Sequence, residues 1–558
     1  MKKLPYGLSD FVRVKKENYY YIDKTSFISK VEDSADFLFF LRPRRFGKSL
    51  FLNMLIAYYG IEYKDEYENI FKDTYILNNP TPLKNSFYIM KFDFSGIDVT
   101  DYENSFRSNL TDVIKNFIHN YNISIEFEND NPIDRLRSLF SHCETKNLPI
   151  YIFIDEYDNF VNKLLVMDMN NYKGLVTTND AFYKQFFTTL KVGTSQNNSS
   201  IRKMFFTGVS PLALYDVTSG SNIGKNISTD EWFNDVVGIT KDELSDMINY
   251  YKLDNQKEQI INRCDIWYDS YRFNEDVEHT IYNSDMILYY LDSIINRGKE
   301  PDTLIDVNVR TDYSKLKYLI YTNKKLNGNF DIINDLIQNN EVYINNLKDN
   351  FSAFEMSETN NFLSLLFTLG FVTIERYRAQ LKLSIPNMTI KTILADFIEH
   401  AYKDMDFNLI QHKLSKYLSD FGYDKNLEIF HYLNEQIKQH SSIRDFISKE
   451  AHNKASLITY LTLNSQYEVF SELEVTKGYV DLVLNPIVPE IPYGAVLEIK
   501  YISKDSYTDS KLKEVVKGAK EQIARYEIET IKSFKETKFI KVILVYRAWE
   551  LIYCEEVI

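Results

Sequence analysis

The chain has 558 residues and a formal net charge of -14, and glycine is scarce: 17 Gly and 12 Pro stand against 42 Tyr and 38 Phe. Average glycine use is about 7%, so collagen-like, linker-like and disordered classes are excluded, and an aromatic content this high feeds several cores, about three or four domains at this length. The acidic balance excludes a pervasive basic surface that coats nucleic acid while allowing a local basic groove, and three widely spaced cysteines, Cys143, Cys264 and Cys554, fit neither a disulfide framework nor CxxC metal spacing and point to a reducing, cytoplasmic compartment.

The N-terminus, Met1 to Gly7, carries two lysines but no apolar h-region, which argues against a signal peptide. The longest apolar runs, Phe37 to Leu41 and Ile150 to Ile154, are strand-sized, so a soluble protein without membrane contact is expected. Phe37 to Leu41 reads as a buried strand. Lys48 to Tyr59 reads as a helix with Leu50, Met54, Leu55 and Tyr58 on one side. Further strands are predicted at Phe87 to Phe92, Ile150 to Ile154 and Met204 to Thr207, and strands separated by helices imply a parallel sheet with both faces covered. From about 241 to 405 the pattern is mainly helical, and Asn361 to Phe367, Gly370 and Phe371 to Ile374 read as helix, turn and strand. Beyond 405 come helices and then strands at Tyr467 to Val475, Val480 to Leu484, Ala495 to Ile499 and Lys541 to Tyr546, with a basic helix, Ser510 to Tyr526, between the last two.

Two stretches of the first segment complement one another chemically. Arg42-Pro43-Arg44-Arg45-Phe46-Gly47-Lys48-Ser49 follows a predicted strand and opens a predicted helix. Phosphate binding needs backbone N–H groups, a positive helix end, a lysine for the outer phosphates and a hydroxyl for Mg²⁺; Arg44, Arg45, Gly47, Lys48 and Ser49 can supply them. The usual pattern has another glycine where Arg42 stands. Gly-Lys-Ser alone also describes an ordinary helix N-terminus, and paired acids after a strand also describe a turn. The second half is Pro149 to Ile154 followed by Asp155-Glu156, an apolar strand ending in two acids. Asp155 would organise Mg²⁺ and Glu156 would act as general base on water. The intervening strand implies that the lysine-bearing and acid-bearing strands are not adjacent. Thr207 or Ser210 at a later strand tip could sense the γ-phosphate or simply bond to backbone.

Tyr20 to Thr25, Arg42 to Ser49, Asp155 to Asp158, Thr207 to Ser210 and Tyr268-Asp269-Ser270-Tyr271-Arg272-Phe273 together resemble the AAA-ATPase-like family of bacterial proteins. The resemblance implies that Arg42 is a family trait of a RPRRFGKS-type loop, with Ser270 in place of a usual glycine. Arg272 would reach the nucleotide from a lid or form a structural ion pair.

Near the other end, Asp481 begins one predicted strand, and Glu498 and Lys500 lie two apart on the next, hence on one face. Two carboxylates and an ammonium at adjacent strands suit Mg²⁺, or Mn²⁺, and phosphodiester hydrolysis, with the lysine steadying the nucleophile or the developing charge. The arrangement resembles the PD-(D/E)xK nuclease superfamily, in the module commonly fused to the ATPase-like domain. Glu474, Gly478, Asp481, Glu498 and Lys500 match its pattern, as do His452 on the preceding helix and Ala519, Gln522 and Tyr526 on the following one. Tyr479 stands where that module usually has arginine, and Glu450 and Glu474 compete for the role of upstream acid. Lys504, Lys511, Lys513, Lys517, Lys520 and Arg525 read either as phosphate contacts or, with interspersed acids, as a solvated helix face. The eight histidines show no zinc-ligand spacing.

These observations predict an α/β multidomain chain: a P-loop NTPase parallel sheet at 1–240, a helical lid or linker at 241–405 that is compatible with a winged helix, and a small α/β restriction-endonuclease-like domain at 406–558. The expected function is an ATP-binding and ATP-hydrolysing switch coupled to a Mg²⁺-dependent nuclease. The alternative is a nucleotide-regulated nucleic-acid-binding scaffold with an inactive nuclease fold. ATP and Mg²⁺ are the expected cofactors. Nucleic acid is the expected partner, DNA ahead of RNA, and self-association is compatible with the sequence.

Overall fold

The computed structural model describes all residues except 168, 179–180, 196–198, 213–215, 217–223, 313–320, 323–324, 327, 405–408, 410, 440–449, 464–465, 476–477, 489, 528–536 and 558. The chain separates into two units, Met1–Tyr318 with Ile344–Leu381, and Leu319–Tyr343 with Lys382–Ile558. Within the expected middle region 241–405, residues 319–343 and 382–404 therefore group with the C-terminal unit and the rest with the first. The cause is packing: helices Gly328–Asn339 and Met388–Lys403 both lie on helix Glu450–Thr462.

The first unit is built on five strands, β1 (Phe37–Leu41), β2 (Tyr88–Asp93), β3 (Ile150–Asp155), β4 (Ile201–Gly208) and β5 (Lys225–Asn226). They lie in the order β2-β3-β4-β1-β5 and pair in parallel throughout. β3 is buried at every position, as a parallel strand covered on both faces must be. β4 separates β1 from β3, so the expected non-adjacency holds. Because the strands are parallel, the segments leaving β1, β3 and β4 emerge at one carboxyl edge, where open α/β sheets place ligands.

Helix α1 (Lys48–Tyr59) leaves β1. Its burial is not confined to one side as the sequence suggested: Phe51, Leu52 and Met54 through Tyr59 are all buried, while Leu50 is half-buried. The helix packs on β3 and β4 and is also covered by helix Phe11–Lys16, and an apolar helix enclosed all round belongs to the interior. Farther on, helix Thr359–Leu369 stops at Gly370 and strand Thr373–Tyr377 follows, the expected helix, turn and strand.

The second unit carries β6 (Tyr467–Val475), β7 (Gly478–Pro486), β8 (Tyr493–Ile502), β9 (Lys538–Arg547) and β10 (Glu550–Val557), adjacent in that order. β8 and β9 are parallel, spanned by the crossover helix α2 (Asp509–Ile523), and the other pairs are antiparallel. Val480, Val483, Val496, Ile543 and Val545 meet Ala519, Ile523 and Tyr526 in its core. Among the described residues no helix is long and apolar enough to cross a membrane.

Candidate functional site

The turn from β1 into α1 is shaped by backbone before any side chain contributes. Arg45 and Gly47 take positive φ, 70° and 96°, the kind of alternation from which concave turns of main-chain amides are built. Gly47 is the N-cap of α1 and offers no side-chain cap, so the first amides of the helix stay available to an anion at its positive end. Lys48 is buried and its Nζ donates to the carbonyls of Arg42 and Pro43 at 3.0 and 2.9 Å, lying back across the loop. Burial pushes the Lys48 ammonium down to about 8, against the pull of Glu156, Asp155 and Asp158.

The loop is braced from outside. Asn283 caps helix Ser284–Arg297 and donates to the Arg44 carbonyl, Ser284 Oγ donates to the Phe46 carbonyl at 3.1 Å, and the Asp285 amide to that of Arg45 at 3.2 Å. The open side is a cleft of about 680 Å³ lined by Arg44, Arg45, Gly47, Lys48, Ser49 and Glu156. Tyr20, Tyr21, Ile22 and Val236 to Ile239 line the same cleft and add apolar and aromatic surface to it.

Asp155 ends β3 at the same edge, and its Oδ1 accepts from the Thr207 hydroxyl at 2.5 Å. Thr207 is thus spent on the acid itself, and the Ser210 hydroxyl accepts from the Leu212 amide. Glu156 sits at φ 50°, a left-handed turn that sends its carboxylate into the cleft, where Asn159 donates to it. Asp158 is buried, accepts the amides of Val209 and Ser210, and is raised by burial. β4 must end in glycine: a Cβ on Gly208 would stand 2.4 Å from the Tyr157 ring and 2.7 Å from Asp158 Oδ1.

Arg42 turns away from the cleft. Its buried guanidinium donates to the carbonyls of Leu41, Ser228 and Phe233 and lies 4.0 Å from the Phe273 ring centroid. The residue replacing the customary glycine is therefore a strut beneath the loop. Arg272 does not line the cleft either: its guanidinium donates to the Glu278 carbonyl and faces Glu375 at 4.0 Å.

In the second unit, β7 and β8 pair only from Leu482 opposite Leu497. Beyond that point Asp481 replaces the ladder, its Oδ2 accepting the Ile499 amide at 2.8 Å. The parted strands bring Asp481 beside Glu498, which is fully buried, ion-paired with Lys500, and accepts from Tyr526 Oη at 2.9 Å. Gln522 on α2 donates to Tyr526 at 2.7 Å, and Tyr526, three residues past the end of α2 rather than on the helix expected to reach it, shares its one proton between Glu498 and the Tyr479 carbonyl at 2.8 Å, so the two fix the acid's orientation. Burial first, then Asp481, raises the Glu498 carboxyl, while Lys500 and Tyr526 oppose them. Glu498 Oε1 is buried against the Lys500 ammonium. Such an oxygen beside a second carboxylate fits a hard divalent cation. Among the described residues no three His, Cys, Asp or Glu side chains cluster as a ligand set, and Asp481 and Glu498 are the two carboxylates that could share a cation here.

Glu474 is exposed on β6 and makes no contact in this group, and the side chains of Glu450 and His452 lie outside the described residues. The sequence reading missed Asn159 and Lys163 in the cleft, and Lys454 and Glu472 beside Asp481. Only the short spacing from Glu156 to Asn159 was visible in sequence.

Residues 5–218 match the family model described as Predicted AAA-ATPase, and residues 448–556 match that of the PD-(D/E)XK nuclease superfamily. A curated relative, the "Uncharacterized protein in vnfD 5'region" of Azotobacter chroococcum mcd 1, is 47% identical over 55 residues, 10% of this chain and 11% of the relative. Among solved structures, the ORC2 protein of Aeropyrum pernix in ADPNP-ADP complexes shares 12% identity at a TM-score of 0.30, covering 70% of this chain and 98% of its own. Cdc6p of Pyrobaculum aerophilum shares 11% at 0.27, covering 69% and 96%. Likeness at that level carries no argument, and the sheet order and site geometry stand by themselves.

Proposed function

We propose that this chain, which joins an AAA-ATPase-like domain to a PD-(D/E)XK nuclease-superfamily domain, is a nucleotide-controlled nuclease. It binds and hydrolyses Mg²⁺-ATP at the first site and cleaves phosphodiester bonds of nucleic acid at the second. The observation that carries the reading is the pairing of Asp481 with the buried Glu498 beneath Lys500, where β7 and β8 part.

In the first cleft, the amides of the Gly47 turn and α1 receive phosphate oxygens, and Lys48 leaves its loop carbonyls for the outer phosphates. Ser49 and Asp155 would hold Mg²⁺, which when bound neutralises phosphate charge. Glu156 takes the proton from water once Asn159 releases it. At the second site Asp481 and Glu498 would hold Mg²⁺ or Mn²⁺, which supplies Lewis acidity at the phosphate. Tyr526 and Gln522 orient Glu498, and Lys500 steadies the charge that develops on the attacked phosphate.

Cleavage of labelled DNA and RNA in Mg²⁺ and Mn²⁺, with and without ATP, tests the proposal. Loss of cleavage is expected in an Asp481→Ala, Lys500→Ala double variant, and undiminished cleavage there overturns the reading. Glu156→Gln is expected to keep ATP binding and lose turnover by about 10²-fold or more. Metal-dependent binding of nucleic acid by the wild type with no cleavage would make the second domain a binding module instead.

A further inference from the structure

The proposed mechanism leaves one cation unused. Lys454 comes from helix Glu450–Thr462, yet its ammonium pairs with Glu472 on β6 and stands 3.4 Å from Asp481 Oδ1 on β7. Its side chain is only 12% exposed, so this is a built contact.

Two features show how it is built. Glu472 steps out of the ladder: Ser471 opposes Leu482 and Leu473 opposes Val480 in one unbroken register, which sets Glu472 across from Asp481, yet at φ 51° it is left unpaired. A left-handed non-glycine residue costs on the order of 1 kcal/mol or more and persists only where the surrounding structure holds it, and the change of backbone direction re-aims the side chain. Here the aimed side chain is the one that holds Lys454. The second feature is the division of Asp481: Oδ2 is committed to the Ile499 amide, and Oδ1 faces Lys454.

Charge then decides the role. Within the ion-paired group itself, leaving aside the neighbouring Lys391, Asp481, Glu498 and Glu472 contribute three negative charges and Lys454 and Lys500 two positive ones, a sum of -1. A divalent cation makes it +1, and a phosphodiester then closes it to zero. Without Lys454 the metal-bearing centre would be neutral and the phosphodiester would enter at a deficit. A divalent cation held by Asp481 would weaken the Lys454–Asp481 contact, and Lys454, tethered by Glu472, would then be placed to meet the incoming anion.

We infer that Lys454 is a substrate-binding cation of this centre, held by Glu472 and released from Asp481 when metal binds, so that it grips a phosphate oxygen of the nucleic acid. The inference rests on the nuclease reading of Asp481 and Glu498.

The test uses the full chain and the variants Lys454→Met and Lys454→Arg, with thermal unfolding to confirm that each is folded. Mn²⁺ binding is measured directly, and DNA and RNA oligonucleotides of one sequence are titrated in Ca²⁺ over a salt series. Lys454→Met is expected to bind Mn²⁺ several-fold more tightly and the oligonucleotide about tenfold more weakly. Its log-log salt slope should fall by about 1. Lys454→Arg should retain oligonucleotide affinity. Oligonucleotide affinity and salt slope unchanged in a folded Lys454→Met overturn this inference and leave the nuclease reading standing. Wild type that takes up neither Mn²⁺ nor oligonucleotide overturns both.

Discussion

At the scale of single residues, Arg42 and Lys391 show how a buried cation is held or merely tolerated. Arg42 ends on three carbonyls and an aromatic face, so truncation strands those acceptors. Arg42→Gly, which restores the customary phosphate-loop residue, is expected to destabilise the first unit by about 3 kcal/mol in denaturant unfolding. Lys391 has far less support: it is buried, its Nζ reaches Ser471 Oγ at 3.0 Å, and burial pushes it down to about 7. In the unfolded chain a lysine titrates near 10.4, so between these values the unfolded state holds more protons and stability rises with pH. Lys391→Met should therefore stabilise the protein by on the order of 3 kcal/mol at pH 7 and below, with the gain shrinking toward pH 10. Unfolding midpoints across that range check the sign. Neither residue's surroundings were legible in sequence, because Arg42 meets Ser228, Phe233 and Phe273, and Lys391 meets Ser471.

At the scale of elements, what sequence conveyed best was a contiguous run whose chemistry is local. The apolar strand ending in Asp155-Glu156 and the turn into α1 are self-contained signals, and the structure places both at one sheet edge. The Glu-x-Lys of β8 is equally local. β10 was overlooked because Glu550–Val557 is half-exposed along most of its length and mixes acids with apolar residues, which blurs the alternation expected of a strand. Glu472 escaped because its left-handed backbone interrupts the ladder opposite Asp481, a local departure that a period-2 reading does not register. The tip of β4 offers an element-level test. Gly208→Ala forces a methyl into Tyr157 and Asp158, both buried, and should cost about 2 kcal/mol or more in unfolding. It should also weaken ATP binding, since Thr207 next to it orients Asp155.

At the scale of the whole molecule, the two sites make separable demands. Lys48→Ala is expected to abolish nucleotide binding while sparing metal binding at Asp481 and Glu498. If nucleotide governs the nuclease, ATP should change the cleavage rate of the wild type and leave that of Lys48→Ala unaltered. Identical ATP responses in the two would sever the proposed link. The division into two units was only partly legible, because helices 328–339 and 388–403 reveal their allegiance through the faces they pack on helix Glu450–Thr462. The strut under the phosphate loop has one more consequence. Its hydrogen bonds end on main-chain carbonyls, groups that acid does not protonate within the physiological range and that dissolved ions do not screen as they screen exposed charge pairs. The loop's footing should therefore outlast the protein's surface ion pairs in both acid and brine, so nucleotide affinity lost under those conditions would come from the ligand's own charges.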